Sequence, residues 1–206
     1  VCSSDLCPYC GRVIEPNKSC CDKCRKEFPE MPLVRYATGG YICTSPFPYD
    51  GIFRRAVLNF KFHNCGAYAE LLSHEMVRSI KDVYRDREFD LVTCVPMHKD
   101  TLRKRGYNQA ELLAKECARL LGIEYADLLV KTKKNKTQHS IKAAERAKNV
   151  IGVYSPIDKN LIKGKRILII DDIITTGSTL GECARILNKC KCGEICCCTL
   201  CTSLLI

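Results

Sequence analysis

Runs of apolar residues with two different periods divide this chain. FDLVTCV (89–95) and RILIID (166–171) are short, continuous and rich in β-branched side chains, the pattern of strands buried on both faces. Pro96 ends the first. Elsewhere the spacing is helical, from Ile52 to about Phe62, from Ala67 to Val83 and from Ser178 to about Lys189. Another helix opens at Asn108, with Glu111 three positions on to complete a capping box. Its apolar stripe of Ala110, Leu113, Ala114, Cys117 and Leu121 closes at Gly122. The tail ICCCTLCTSLLI (195–206) predicts a last strand, while MPLVRYATGGYICTSPFPYDG (31–51) is turn-rich and predicts a linker with short strand pieces. Strands alternating with helices predict a parallel α/β sheet flanked by helices.

At 206 residues there is room for one well-packed domain and a small appendage. No apolar run reaches 18 residues, so no membrane span is expected. The start, VCSSDLCPYC, lacks the basic and apolar regions of a signal peptide, and the expected compartment is the cytoplasm. It also lacks an initiator Met, which points to a truncated start. VCSSDL resembles translated adapter sequence and is set aside, with Cys2.

Seventeen cysteines suggest a disulfide scaffold only in a short secreted chain, and this one is large, core-rich and odd in its count. Seven of them lie between Cys183 and Cys201, where reduced Cys serves as a small apolar filler. The C-x-C of Cys190 and Cys192 is weak evidence for a metal. The N-terminal group differs. Cys7 and Cys10, then Cys21 and Cys24, form two C-x2-C pairs that can close a tetrahedral S4 site for zinc. Gly11 suits the sharp turn of such a knuckle. Cys20 is the spare, although Cys20 with Cys24 offers an alternative C-x3-C pair. No His or acid at ligand spacing opens a coordination position, so the site reads as structural.

The formal charge of +10 lies wholly outside residues 1–30 and peaks in KTKKNKTQHSIKAAERAK (131–148). Such a run is often just a solvated face; the sharper alternative is a site for phosphates or nucleic acid. Tyr107 and Tyr154 are the nearby candidates for stacking on bases.

Chemistry concentrates in ILIIDDIITTGST (167–179). Adjacent carboxylates, Asp171 and Asp172, repel each other unless something binds them. Thr175, Thr176, Ser178 and Thr179 supply hydroxyls around Gly177 just before a helix N-terminus, which makes a phosphate cradle. No Walker G-K-[ST] and no G-x-G-x-x-G is present. Two acids would repel a phosphate, so they suit the vicinal hydroxyls of its sugar. The far end of such a ribose 5-phosphate would meet the basic loop PMHKDTLRKRGY (96–107), with Lys99, Arg103, Lys104 and Arg105.

These thirteen residues resemble, at every position, the phosphoribosyl pyrophosphate signature of type I phosphoribosyltransferases. The cysteine knuckle, VPMHKDTLRKRGYNQAELLA and KTKKNKTQHSIKAAERAKNV extend the likeness to the ComF family, amidophosphoribosyltransferase-like proteins linked to DNA uptake in competent bacteria. The resemblance implies a type I phosphoribosyltransferase-like parallel sheet over residues 31–206, preceded by a zinc knuckle over residues 1–30. It implies that Asp171 and Asp172 hold ribose hydroxyls, Thr175 to Thr179 the 5-phosphate, and Pro96, Met97, His98 and Lys99 the pyrophosphate. Thr137, Gln138, Arg146 and Asn149 fall in a segment similar to the mobile loop of glutamine amidophosphoribosyltransferases, whose glutaminase half is absent here. Arg105, Gln138 and Arg146 become the candidate catalytic side chains. Magnesium would travel with the pyrophosphate. Transfer of phosphoribosyl to an unidentified acceptor is the implied activity. The alternative is a non-catalytic sensor of the donor, or an accessory that binds single-stranded DNA or the DNA-uptake machinery. A purely structural adaptor leaves the Asp pair unexplained.

Overall fold

The computed structural model describes residues 5–15, 18–62, 67–133 and 150–203. Within them a mixed sheet runs in the order β1 (Leu33–Ala37), β2 (Tyr41–Ser45), β9 (Glu194–Thr202), β8 (Arg166–Ile174), β4 (Leu91–Cys94) and β5 (Glu124–Tyr125). The short β3 (Phe47–Pro48) also pairs with β9. All pairings are parallel except the β1–β2 hairpin. The parallel α/β expectation therefore holds for the centre of the sheet. A separate antiparallel pair joins β6 (Leu129–Lys131) to β7 (Tyr154–Pro156).

Side chains alternate across β8, so its apolar run feeds two cores. Leu168 and Ile170 pack with Cys196 and Cys198 of β9 under α2 (Gly51–Phe62), α3 (Tyr68–Val83) and α5 (Gln109–Leu121). Ile167 and Ile169 pack with Cys197 under α7 (Ser178–Lys189), with Ile162 of α6 (Lys159–Ile162). The sheet is thus sandwiched between helices. Cysteine in β9 is a filler: Cys196, Cys197, Cys198 and Cys201 are fully buried, and burial pushes their thiols up, which keeps them neutral.

Three expectations are corrected. Residues 31–51 hold the expected short strand pieces but are no linker, because β1, β2 and β3 complete one edge of the main sheet. Strand β8 does not stop at Asp171 but continues to Ile174, still paired with β9. At α5, Asn108 does cap the helix, accepting from the Ala110 amide at 3.2 Å. Glu111, however, turns to Lys115 at 2.6 Å, so the reciprocal half of the capping box is not made. The Asn108 amide nitrogen donates instead to the Val95 carbonyl at 3.1 Å and ties α5 to the end of β4.

The hairpin turn after β1 crosses the start of α7 closely. Thr38 donates its backbone N–H to the Gly177 carbonyl at 3.2 Å. A Cβ on Gly181 would stand 2.3 Å from the Thr38 carbonyl oxygen. Alanine is favoured over glycine inside a helix by about 1 kcal/mol, yet overpacking costs about 1–3 kcal/mol. Gly181→Ala is therefore expected to lower the melting temperature by several degrees; an unchanged or raised value would show that the turn yields freely.

Candidate functional site

The site follows from where two neighbouring strands stop. Strand β4 ends at Cys94, and its last link to β8 is the Val95 N–H donating to the Ile170 carbonyl at 3.0 Å. Strand β8 runs four residues further, held by β9 alone. Asp171 and Asp172 thus emerge beside the gap that β4 leaves. The chain leaves β4 through α5 toward β5 on one side, and leaves β8 through α7 toward β9 on the other. The strand order reverses between β4 and β8. Such a switch point opens a crevice at the carboxyl ends of the strands, the place where ligands sit in parallel sheets.

Both segments singled out by sequence issue from that crevice. Asp171 accepts at Oδ1 from the Asp172 backbone N–H at 2.8 Å. Burial first, and the neighbouring Asp172 second, push the Asp171 carboxyl up to about 8. Asp172 Oδ2 meets Lys61 Nζ at 2.7 Å. The chain then wraps from Ile173 to Leu180 around a small concavity of about 20 Å³. Gly177 makes the turn at φ 74°, the left-handed region that favours glycine, and caps α7 without a side-chain acceptor. Thr176 and Ser178 hydroxyls lie 2.9 Å apart across it.

On the β4 side, Pro96, Met97 and His98 are half-buried, and the expected loop is in part a helix, α4 (Lys99–Arg105). His98 caps it by accepting from the Asp100 amide at 3.3 Å. Arg105 lies on the last turn, where its guanidinium donates to Gln109 Oε1 at 2.9 Å. Gln138 and Arg146, like Thr137 and Asn149, lie outside the described residues. The two stacking candidates are committed elsewhere: the Tyr107 hydroxyl donates to the Phe60 carbonyl, and Tyr154 is buried.

Two cations near the acids were missed by sequence reasoning. Lys61 stands in the last turn of α2, where helical periodicity gave no hint of its partner 111 positions away. Lys131 belongs to the basic run, yet it lies 5.4 Å over the Tyr154 ring, and burial pushes its ammonium down. Its charge acts on Asp171. The first lysine of the basic run is therefore interior-facing, whereas Lys133 is exposed.

A second candidate centre sits at the N-terminus. The Sγ atoms of Cys7, Cys10, Cys21 and Cys24 all lie within 4.8 Å of one another, and Cys10 and Cys21 are 3.6 Å apart. Thiolates about 2.3 Å from a tetrahedral zinc stand about 3.8 Å from each other, so the group has the size and chemistry to hold such an ion. Gly11 at φ 75° turns the first pair; of the second, Cys21 is the N-cap of the short helix α1 (Asp22–Arg25) and Cys24 lies within it. Cys20, the spare of the alternative Cys20–Cys24 pair, is buried outside the group. Between the ligands, Tyr9 is buried with its ring edge-on to Phe28, Phe47 and Phe53 at 5.0–5.8 Å. Arg25 reaches Glu75 of α3 at 2.6 Å. The knuckle is docked onto the body.

The family profile of the phosphoribosyl transferase domain matches residues 108–204, which include β8 and the whole 167–179 segment. Over 198 residues the chain is 30% identical to competence protein F of Haemophilus influenzae, covering 94% of this chain and 82% of that protein. The chain belongs to the competence protein F (ComF) family. Another relative, the DNA utilization protein YhgH of Escherichia coli K12, is 26% identical over 189 residues, 89% of this chain and 78% of its own. Among solved structures, a glutamine phosphoribosylpyrophosphate amidotransferase from B. subtilis, complexed with ADP and GMP, superposes on 68% of this ComF-family chain with a TM-score of 0.46 and 18% identity. The chain spans 30% of that enzyme's length.

Proposed function

We propose that the crevice between β4 and β8 binds phosphoribosyl pyrophosphate with magnesium and transfers its phosphoribosyl group to an acceptor. The observation that carries this is the placement of the Asp171–Asp172 pair and the Thr175–Thr179 turn together at the switch point, ahead of the α7 N-terminus. Asp171 and Asp172 would take the ribose hydroxyls. Thr175, Thr176, Gly177, Ser178 and Thr179 would take the 5-phosphate, helped by the helix dipole and by the first amides of α7, of which Ser178 N–H already donates to Thr176 Oγ1 at 3.4 Å. Pro96 to Lys99, beside Ile170 at the end of β4, suit the pyrophosphate.

In the reaction the bond from ribose C1 to the pyrophosphate oxygen breaks, and its electron pair leaves with pyrophosphate. The acceptor's lone pair forms the new bond to C1 and the acceptor loses a proton. Magnesium bound with the donor would neutralise part of the leaving group's charge. Arg105, with Gln138 and Arg146, are the proposed contacts to the departing charge. Zinc on Cys7, Cys10, Cys21 and Cys24 is proposed as structural, in a knuckle spanning residues 1–30 ahead of a transferase-like unit over 31–206. The proposed compartment is the cytoplasm; among the described residues no helix is long and apolar enough to cross a membrane. Release of pyrophosphate from donor and magnesium in the presence of a metabolite extract tests the transfer. Donor binding without any release would leave a sensor.

The names of the relatives, competence protein F and DNA utilization protein, support a role in DNA uptake. Together with the net charge of +10 they favour a second function as an accessory that binds single-stranded DNA or the uptake machinery. If the basic run serves single-stranded DNA, affinity falls steeply with salt, because neutralised phosphates release counterions. Neutralising Lys133, Lys134 and Lys136 together is expected to flatten the logarithmic salt slope by up to about 2, at about 0.7 per lost contact. An unchanged slope confines these lysines to solvation.

A further inference from the structure

We propose that Lys61 is a positioning residue of the donor site: it fixes the Asp172 carboxylate and offsets the charge of the acid pair, so that a sugar carrying phosphate groups can approach. The inference rests on the donor-binding function proposed above and adds a residue from outside the signature. The contact is short and sheltered. Lys61 Nζ lies 2.7 Å from Asp172 Oδ2, with the two side chains only 19% and 15% exposed. An exposed lysine would gain little from such a pair, but a sheltered one is held in place against its partner.

The backbone under Lys61 is pinned at both ends of α2. Tyr107, in the connection between α4 and α5, donates its hydroxyl to the Phe60 carbonyl and packs its ring 6.0 Å from that of Phe60. At the other end, Phe53 stacks on Phe47 at 4.3 Å and 9° between planes. The end of α2 thus touches the chain leaving β4 through Tyr107 and the chain leaving β8 through Asp172. It bridges the two halves of the crevice.

Charge gives this placement its purpose. Two ionised acids with no nearby cation would present two negative charges to a ligand that brings a phosphate and a pyrophosphate of its own. With Lys61 in place the local charge is reduced by one, and Lys61 and Lys131 both act electrostatically on Asp171. An ionised carboxylate has about four acceptor sites, so one ammonium contact leaves Asp172 free to accept from a sugar hydroxyl as well. The lysine orients the acid without consuming it.

Calorimetric titration of phosphoribosyl pyrophosphate with magnesium into wild type, Lys61→Met, Lys61→Arg and the double variant Lys61→Met/Asp172→Asn tests this. Lys61→Met is expected to weaken binding about tenfold or more, and Lys61→Arg, which keeps the charge, to recover most of the loss. In the Asp172→Asn background, Lys61→Met should add little, because the lysine acts through that acid. Unchanged affinity in Lys61→Met would overturn the inference and leave the donor site standing. Tighter binding would overturn it too, by showing that Lys61 competes with the donor for Asp172. A full additional loss in the double variant would mean that Lys61 contacts the donor directly. Wild type that does not bind would remove the donor site and this inference with it. Lys61→Arg guards against a folding artefact, since a merely misfolded Lys61→Met would melt early while Lys61→Arg still reports on affinity.

Discussion

Protein carrying Cys21→Ser is expected to purify without metal, and the wild type with about one zinc per chain. Cys21 is central to the cluster, with its Sγ 3.6 Å from Cys10 and its backbone N–H donating to Cys7 Sγ at 3.5 Å. Little else holds this region by itself: α1 has four residues, and the turn at Cys7–Arg12 is closed by two backbone bonds. Metal binding in small cysteine-ligated peptides contributes roughly 10–16 kcal/mol and is inseparable from their folding. Losing it should free residues 5–30 to early proteolysis and withdraw Tyr9 from its aromatic neighbours. Donor binding is expected to persist, since Phe53, the Tyr9 contact, and Lys61 stand at opposite ends of α2. Cys20→Ser is the control and should keep its zinc, because Cys20 lies outside the group. Full metal content in Cys21→Ser, measured by elemental analysis, would show that the ligand set is wrong.

Legibility in the sequence tracks the range of the interaction. Strands β4 and β8 and helices α2, α3, α5 and α7 were readable because periodicity and caps are local, and α5 begins and ends at Asn108 and Gly122 as expected. The signature was readable because its hydroxyls, glycine and acids are contiguous. The hairpin of β1 and β2 was not, since its place at the sheet edge is set by pairing Cys43 with Cys197, 154 positions away. Glu111 carried a correct local signal, yet Lys115 one turn on outcompeted the cap. Nothing in the sequence could assign Lys61 to Asp172, or aim Lys131 inward while Lys133 faces solvent. Such pairings appear only once the sheet has been assembled.

Asp171 and Asp172 are expected to matter greatly for the donor and to cost the fold something. Asp→Asn keeps the shape and an acceptor oxygen but abolishes the ionised form, which Asp171, raised to about 8, takes on below that pH only when a bound ligand favours it. A hydrogen bond to a charged group contributes about 1.5–3 kcal/mol, so losing most of one should weaken donor binding about tenfold or more. Stability should move the other way at Asp171. Its carboxyl is raised from 3.8 to about 8 by burial and by Asp172, so the folded protein keeps a proton that the unfolded chain sheds above about pH 4. The folded state then binds more protons than the unfolded one, and the stability this group allows falls as pH rises from about 4 to about 8. Asp171→Asn removes that dependence. It is expected to melt higher than wild type at pH 8 and alike at pH 4. Acids that merely served the fold would give the reverse, early melting with normal donor binding.

Whether the crevice is a site for phosphoribosyl pyrophosphate is tested most directly by calorimetric titration of that donor with magnesium into wild type, Asp171→Asn and Asp172→Asn. The expected result is saturable binding by the wild type and about tenfold or greater weakening in each variant. Wild-type protein that shows no binding at about millimolar donor, where even a site worth only about 4 kcal/mol would register, would contradict it.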